Sequence, residues 1–480
     1  MSTIHKVARN AASIMVGNLL FRLISLVVVI YLARYLGVEE FGKYNFVFAY
    51  LAFFGIITDL GLADILVREM SRDVKSIPKM IGNAHVIKLI LSVVAVLLSI
   101  LVINIMDYPA DTTKYIYVAS IMLLFQSFSD NYRSFFQTTL KMEYEVTAKL
   151  IVKVLSAAIV LYLIVTQGTL FQIIVLLTIA ELLRAILNYI YARKFVRARF
   201  EISFKLWKQL FKESLPIALS SVFLIIYHRI DVLMLSMMIK GGAGDIAIGL
   251  YSAAYKLSEP LGMVPYAIII SLFPIMSKLF KDSKEELIRS YEIGLKFIIV
   301  MMLPIAVGTT LIADKIIQLI YDPSYIGSIP ALQILIWALL IGSVNYLLVV
   351  LLTSIDKQRL STISMGFCVI ANILMNYILI PLYSYKGASL ATVVTECILF
   401  VMTFYFVSNS LRSVPIHRIF IKCLPACIIM GMPVYYLNNF TEYNIFVIII
   451  TAALIYIVAL FGFKTFSNEE KAIMRKVFKI

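Results

Sequence analysis

Charge is scarce in this 480-residue chain: Asp, Glu, Lys and Arg together make up 15% of it, against 61% hydrophobic residues. Soluble domains keep about a quarter of their residues charged, so a soluble globular class is excluded and the bilayer becomes the solvent. Cysteine is sparse as well. The four present, Cys368, Cys397, Cys423 and Cys427, fall inside apolar runs, which excludes a disulfide framework or a zinc site and leaves them as small packing residues. Histidine is limited to His5, His85, His228 and His417, scattered without metal-ligand spacing. No Gly-x4-Gly-Lys-Ser/Thr string occurs, which excludes a nucleotide-hydrolysing loop of that type, and Gly241-Gly242-Ala243-Gly244 reads only as a flexible external loop. Acidic residues are outnumbered 28 to 43, for a net charge of +15. The basic residues sit in short loops and form no continuous stripe, so nucleic acid is excluded as the partner. No metal, cofactor or catalytic group is expected.

What the chain does contain is a series of apolar runs of about 20 residues, recurring from near the N-terminus to Phe463. In hydrocarbon such runs must satisfy their backbone hydrogen bonds internally, which makes them helices; they lack the period-two alternation of a barrel. The first run, from Ala11 to Arg34, is too long for a signal-peptide core and no small-x-small cleavage site follows it, so it stays as a span. Spans are expected near 11–34, 44–66, 81–105, 114–138, 148–166 and 170–192, then near 214–238, 249–275, 292–314, 330–352, 360–381 and 387–409, then near 418–437 and 443–462. The fold class is therefore all-α, a polytopic membrane protein with about fourteen transmembrane helices. With the N-terminus inside, alternate loops hold Arg68, Arg72, Lys75 and Lys79, then Lys141 and Lys149, then the run Arg193, Lys194, Arg197, Arg199, Lys205, Lys208 and Lys212. About 28 of the 43 Lys and Arg fall on that side and about 5 on the other, so the positive-inside rule places both termini in the cytoplasm.

The halves resemble each other at an offset near 207 to 215 residues. Phe41-Gly42-Lys43-Tyr44 matches Ile248-Gly249-Leu250-Tyr251, Met70-Ser71-Arg72 matches Met276-Ser277-Lys278, Asn131-Tyr132 matches Asn345-Tyr346, and Glu181 matches Glu396. An offset of six spans keeps both halves in one orientation, related by an axis along the membrane normal, with a central cavity between two six-helix lobes. The expected organisation is an N-terminal lobe over 1–200, a cytoplasmic interfacial linker helix over 201–213, a C-terminal lobe over 214–412, two further spans over 413–463 and a basic amphipathic tail over 464–480. In the linker, Phe204, Trp207, Leu210 and Phe211 share one helical face and Lys205, Lys208 and Lys212 the other, which suits a helix lying in the membrane interface. In the tail, Ser467 and Glu470 have capping-box spacing ahead of Ile473, Val477 and Phe478, with Lys471, Arg475, Lys476 and Lys479 free to face anionic lipid.

Seven basic residues lie well inside expected spans: Arg22, Lys88, Lys153, Arg184, Arg229, Lys256 and Lys296. Each costs about 2.5 to 3.5 kcal/mol on an insertion scale if left in lipid near the centre, so together they demand pairing or a wet cavity. Arg22 and Arg229 coincide under the 207-residue offset that aligns the Gly-x-Tyr strings. Arg22, Arg229 and Lys256 are the candidate substrate-binding groups, with Asp59, Asp231 and Glu259 as charge partners or coupling groups. Glu181 reads as the local ion-pair partner of Arg184, and Glu396 as its counterpart in a polar contact. Lys88, Lys153 and Lys296 read as snorkelling side chains. Pro260, Gly262, Pro265 and Pro274 interrupt the eighth span and predict a kink.

Gly61-Leu62-Ala63-Asp64 followed by Arg68 and Arg72 looks like the loop motif of major facilitator transporters. That motif needs Arg directly after the Asp and Gly two further on, where Ile65 and Val67 stand. A different family matches better. Gly37-Val38-Glu39-Glu40-Phe41-Gly42-Lys43-Tyr44, Asp59-Leu60-Gly61-Leu62 and Arg68-Glu69 resemble the N-terminal signature of Wzx-type polysaccharide flippases of the multidrug, oligosaccharidyl-lipid and polysaccharide exporter superfamily. Ala313-Asp314-Lys315-Ile316-Ile317 with Tyr321, and Gly387-Ala388-Ser389-Leu390-Ala391-Thr392, are similar to it too, so the resemblance covers essentially the whole chain. It implies two six-helix lobes, two extra C-terminal helices, and a cationic cavity that receives the pyrophosphate and glycan of a polyprenyl-linked oligosaccharide at the plasma membrane, by alternating access and without covalent chemistry. It implies membrane lipids and glycan-assembly proteins as further partners. Two rival readings remain: an H⁺- or Na⁺-coupled multidrug exporter of the same superfamily, and a membrane glycan polymerase or ligase. The first wants carboxylates at the cavity, where the first span offers Arg22; the second wants external catalytic groups, where only Asp107, Asp111, Asp245, Asp322 and Glu442 are scattered.

Overall fold

The computed structural model describes residues 3–412, 414–441, 443–463 and 465. The basic tail expected over 464–480 lies outside the described residues, apart from position 465. Among the described residues every regular element is a helix, as the need to satisfy backbone groups without water dictates. The first eight are α1 (Thr3–Asp59), α2 (Leu62–Arg72), α3 (Ile77–Ile105), α4 (Ala110–Ser120), α5 (Met122–Thr138), α6 (Met142–Val165), α7 (Leu170–Arg193) and α8 (Phe204–Met238). There follow α9 (Gly242–Ser258), α10 (Met263–Asp282), α11 (Lys284–Ile320), α12 (Ser328–Ser354), α13 (Gln358–Ser410), α14 (Ile416–Phe440) and α15 (Ile445–Gly462).

Eleven helical stretches among the described residues are long and apolar enough to cross a membrane. Where that number differs from the expected fourteen, the chain shows why. α1 carries the first two expected spans across a kink at Gly37 (φ 69°), and α13 carries the eleventh and twelfth across one at Ser384 (φ 52°). A Cβ on Gly387 would collide with the Leu379 carbonyl, so the chain doubles back tightly at this point. The stretch expected over 114–138 is divided between α4 and α5, where Ile121 N bonds back three residues to the Val118 carbonyl and tightens the turn. The proline-rich eighth span breaks as expected, into α9 and α10 around a 3-10 turn at Glu259–Gly262. Gly241-Gly242-Ala243-Gly244 corrects the sequence reading: Gly241 (φ 70°) takes the left-handed turn and Gly242 already begins α9.

The described residues fall into two compact units, one of Met1–Ser236 with Lys240–Gly249, the other of Met237–Ile239 with Leu250–Ile480. In the first, α1 packs on α3 and α6, α3 on α5, and α5 on α7. In the second, α10 packs on α11 and α12, α11 on α12, and α12 on α13, which repeats the pairing of the first unit six spans later. α14 and α15 pack on each other and on α11. The expected interfacial linker over 201–213 is not a separate helix: from Phe204 on, its residues are the first turns of the 35-residue α8. Most of its apolar face is also spent on protein, because Leu210 is 1% exposed and Trp207 and Phe211 pack with Leu62, Met70 and Phe136, while Phe204 stays exposed.

A glycine contact inside the first unit carries the internal repeat into three dimensions. A Cβ on Gly42 would collide with the Asp245 carbonyl, and one on Gly249 with the Val38 carbonyl. Val38 and Asp245, like Gly42 and Gly249, stand 207 residues apart, so the two halves of the contact are repeat equivalents. Lys43 adjoins this contact, with Nζ 2.8 Å from both Glu40 Oε1 and Asp111 Oδ2 and 3.5 Å from Glu39 Oε1.

Candidate functional site

Within the first unit, the helices bring basic residues from four different elements together. Lys149, on the second turn of α6, interacts electrostatically with Arg22 of α1, Arg133 of α5 and Arg184 of α7. Lys149 and Lys153, one turn apart, both stand over the Phe21 ring, with Nζ 4.2 and 5.0 Å from its centroid. Phe21 precedes Arg22, so all five cations converge on one region. The acids facing them are Glu145, buried one turn before Lys149; Glu181, whose Oε2 is 3.0 Å from Arg184 Nη2; and Asp130, beside Glu181. Around Lys149 and Arg184, five cations stand against these three carboxylates among the described residues. The Nε of Arg184 is enclosed without a hydrogen-bond acceptor among the described residues, an N–H with capacity left for an anion.

Of the sequence-predicted site residues, Arg22 belongs to this cluster and is exposed. Arg229 is half-buried on α8 and Asp231, two residues on, is buried; that spacing turns them to different faces of the helix. Lys256 and Glu259 lie in the second unit and approach only to 4.0 Å, with Glu259 58% exposed. Asp59 is not the partner of Arg22 or Arg229. Its Oδ1 lies 2.6 Å from Lys88 Nζ and also accepts the Ala63 N–H at the start of α2. Lys88 is 1% exposed, which corrects the snorkelling reading: the end of α1 faces α3 and supplies the counter-charge in place, so the side chain has no need to reach water. Lys153 likewise turns to Phe21. Glu181 and Arg184 pair as expected, and Glu396 accepts from Asn345 Nδ2 at 2.6 Å.

Arg133 and Lys149 were not legible as site residues. Lys149 stands at the edge of an expected span, where the loop reading absorbs it, and Arg133 lies in a span read only for its apolar length. The available signal was the Lys149 and Lys153 spacing, which puts two cations on one face of an otherwise apolar helix.

Comparison with known proteins agrees with this architecture. The family model described as "Polysaccharide biosynthesis protein" matches residues 7–280, and the MatE model matches residues 216–378. The chain is 23% identical over 376 residues to an uncharacterized membrane protein of Methanocaldococcus jannaschii, covering 75% of this chain and 73% of that protein. It is 24% identical over 193 residues to the probable flippase AglR of Haloferax volcanii, covering 39% of this chain and 40% of that one. Among solved structures, the inward closed conformation of the lipid II flippase MurJ superposes with a TM-score of 0.75 at 17% identity, over 97% of this chain and 99% of that one.

Proposed function

The chain belongs to the polysaccharide biosynthesis protein family, and from that membership and the cationic cluster of its first unit we propose that it flips a polyprenyl-(pyro)phosphate-linked oligosaccharide across the plasma membrane. It is a multi-pass membrane protein with the fold of the multidrug, oligosaccharidyl-lipid and polysaccharide exporters. The observation that carries the proposal is the surplus of cations around Lys149. A phosphate headgroup crossing about 30 Å of hydrocarbon loses its water and counterions, and fixed cations with free N–H donors replace them. Arg22 and Arg184 offer the planar fork suited to phosphate oxygens, and Lys149 and Lys153 act as point charges. The prenyl chain stays in lipid and the glycan travels in a hydrated path. No bond is made or broken; the site opens alternately to each side, with Arg229 of the same unit as a further cationic contact. Both termini lie in the cytoplasm in this reading.

The test is headgroup translocation in proteoliposomes holding a defined lipid-linked oligosaccharide, with folded yield measured alongside. Arg22→Gln and Lys149→Gln are each expected to slow translocation tenfold or more, about 1.4 kcal/mol, with normal yield, and Arg22→Lys to retain part of the rate. Wild-type translocation by the doubly neutral variant would sink the cationic mechanism. The MatE match over 216–378 favours the multidrug reading instead; efflux of a cationic dye against a proton or sodium gradient, with no headgroup movement, would decide for it.

A further inference from the structure

The segment joining α7 to α8 is tied to α3 by one polar side chain. Asn83 of α3 donates from Nδ2 to the Glu201 carbonyl at 2.7 Å, and its Oδ1 accepts from Ser203 N at 3.0 Å and from Trp207 Nε1 at 2.8 Å. Arg199 N donates to the Pro78 carbonyl at 2.8 Å, and Gly82 gives the Arg199 backbone room to approach. The backbone of 201 and 203 is fixed to α3, the side chains of 200 and 202 flank that contact, and Phe204 follows at the first residue of α8. Those three are left uncovered: Phe200 is 70% exposed, Ile202 57% and Phe204 74%. Arg197, Arg199, Lys205 and Lys208 are exposed around them.

The position of this ridge follows from its neighbours. α7 has 24 residues, a rise of about 36 Å, enough to cross the hydrocarbon layer and emerge at Arg193. A segment that leaves one span and enters the next sits at the bilayer boundary, where large apolar side chains flanked by cations have a matching surface in anionic headgroups over acyl chains. We infer that this segment docks on anionic lipid of the surrounding bilayer, with Phe200, Ile202 and Phe204 seated below the headgroups and Arg197, Arg199, Lys205 and Lys208 on their phosphates. The dock then fixes the start of α8, the helix that carries Arg229 and Asp231.

The full chain with Cys397→Ser, which removes the exposed cysteine, and Ile202→Cys can carry one environment-sensitive fluorophore at the ridge. It is reconstituted in liposomes of phosphatidylcholine alone or with phosphatidylglycerol. The expected result is a blue shift and strong quenching by nitroxide-labelled lipid when phosphatidylglycerol is present, with little in phosphatidylcholine. The four-fold neutral variant Arg197→Gln, Arg199→Gln, Lys205→Gln, Lys208→Gln should lose the difference, by up to about fivefold per charge; all four side chains are exposed, so the fold is retained. A label open to iodide in both lipids would overturn the inference. So would equal lipid quenching in both, which marks an apolar contact without headgroup recognition, or shielding found only in native membranes, which marks a protein partner.

Discussion

Lys88 and Asp59 meet at 2.6 Å with Lys88 1% exposed, so the buried ammonium is tolerated inside an apolar unit because the carboxylate is present. Asp59→Asn alone strands the buried ammonium and is expected to cost about 3 to 5 kcal/mol; Lys88→Met leaves a carboxylate whose side chain is 34% exposed and is expected to cost less. The double variant should recover most of that loss, measured as the thermal midpoint in detergent. Equal midpoints for single variants and wild type would show the pair to be unimportant. At the other kind of site, Asp111 lies outside the long apolar helices and beside Lys43. Burial raises its carboxyl, but the hydrogen bonds from Lys43 and the Thr112 N–H outweigh that and hold it below its ordinary 3.8. A carboxyl depressed on folding contributes stability above its unfolded value and loses it as pH falls through the folded one. The melting midpoint should therefore fall below a pH of roughly 3.8, more in wild type than in Asp111→Asn. Because its side chain is 41% exposed, the effect should stay under about 1 kcal/mol. Neither pairing was legible beforehand: Asp59 was read as a partner for the site arginines, and Lys43 only as part of a signature string.

Helices here are shaped by where their backbones are allowed to touch or turn. Gly42 and Gly249 sit against carbonyls that are repeat equivalents of each other, so either Gly→Ala change forces two helices apart. Gly42→Ala and Gly249→Ala are each expected to destabilise by about 1 to 3 kcal/mol. Gly308, inside α11 with open space around its Cα, is the control, and Gly308→Ala should stabilise by about 0.5 to 1 kcal/mol. Thermal midpoints of the three variants test the pair; a neutral Gly42→Ala would mean that the contact gives way easily. The repeat strings pointed to both glycines, but not to their meeting. Breaks were legible where proline announced them, as between α9 and α10, and where the apolar runs were interrupted, as at Gly37 and Ser384. The one at Ile121 falls inside an expected span and follows from local tightening of the turn, which leaves no signature residue in the chain.

At the scale of the molecule, the proposed orientation follows from about 28 basic residues on one loop set against about 5 on the other. In a background lacking reactive cysteines, Gln209→Cys should resist an impermeant thiol reagent added to intact cells, and Asn439→Cys, exposed at the end of α14, should react. Labelling of Gln209→Cys from outside would reverse the assigned sides. The sequence by itself determined the helical class, the near positions of the spans and the six-span repeat, because hydrogen bonding in lipid is settled within each helix and hydrophobic length is read locally. Which charges meet was decided only by the tertiary structure. On helices apolar around their whole circumference, periodicity does not say which face turns inward. Packing of α1, α5, α6 and α7 therefore chose Arg22, Arg133 and Arg184 as neighbours of Lys149, and packing of α1 on α3 gave Asp59 to Lys88.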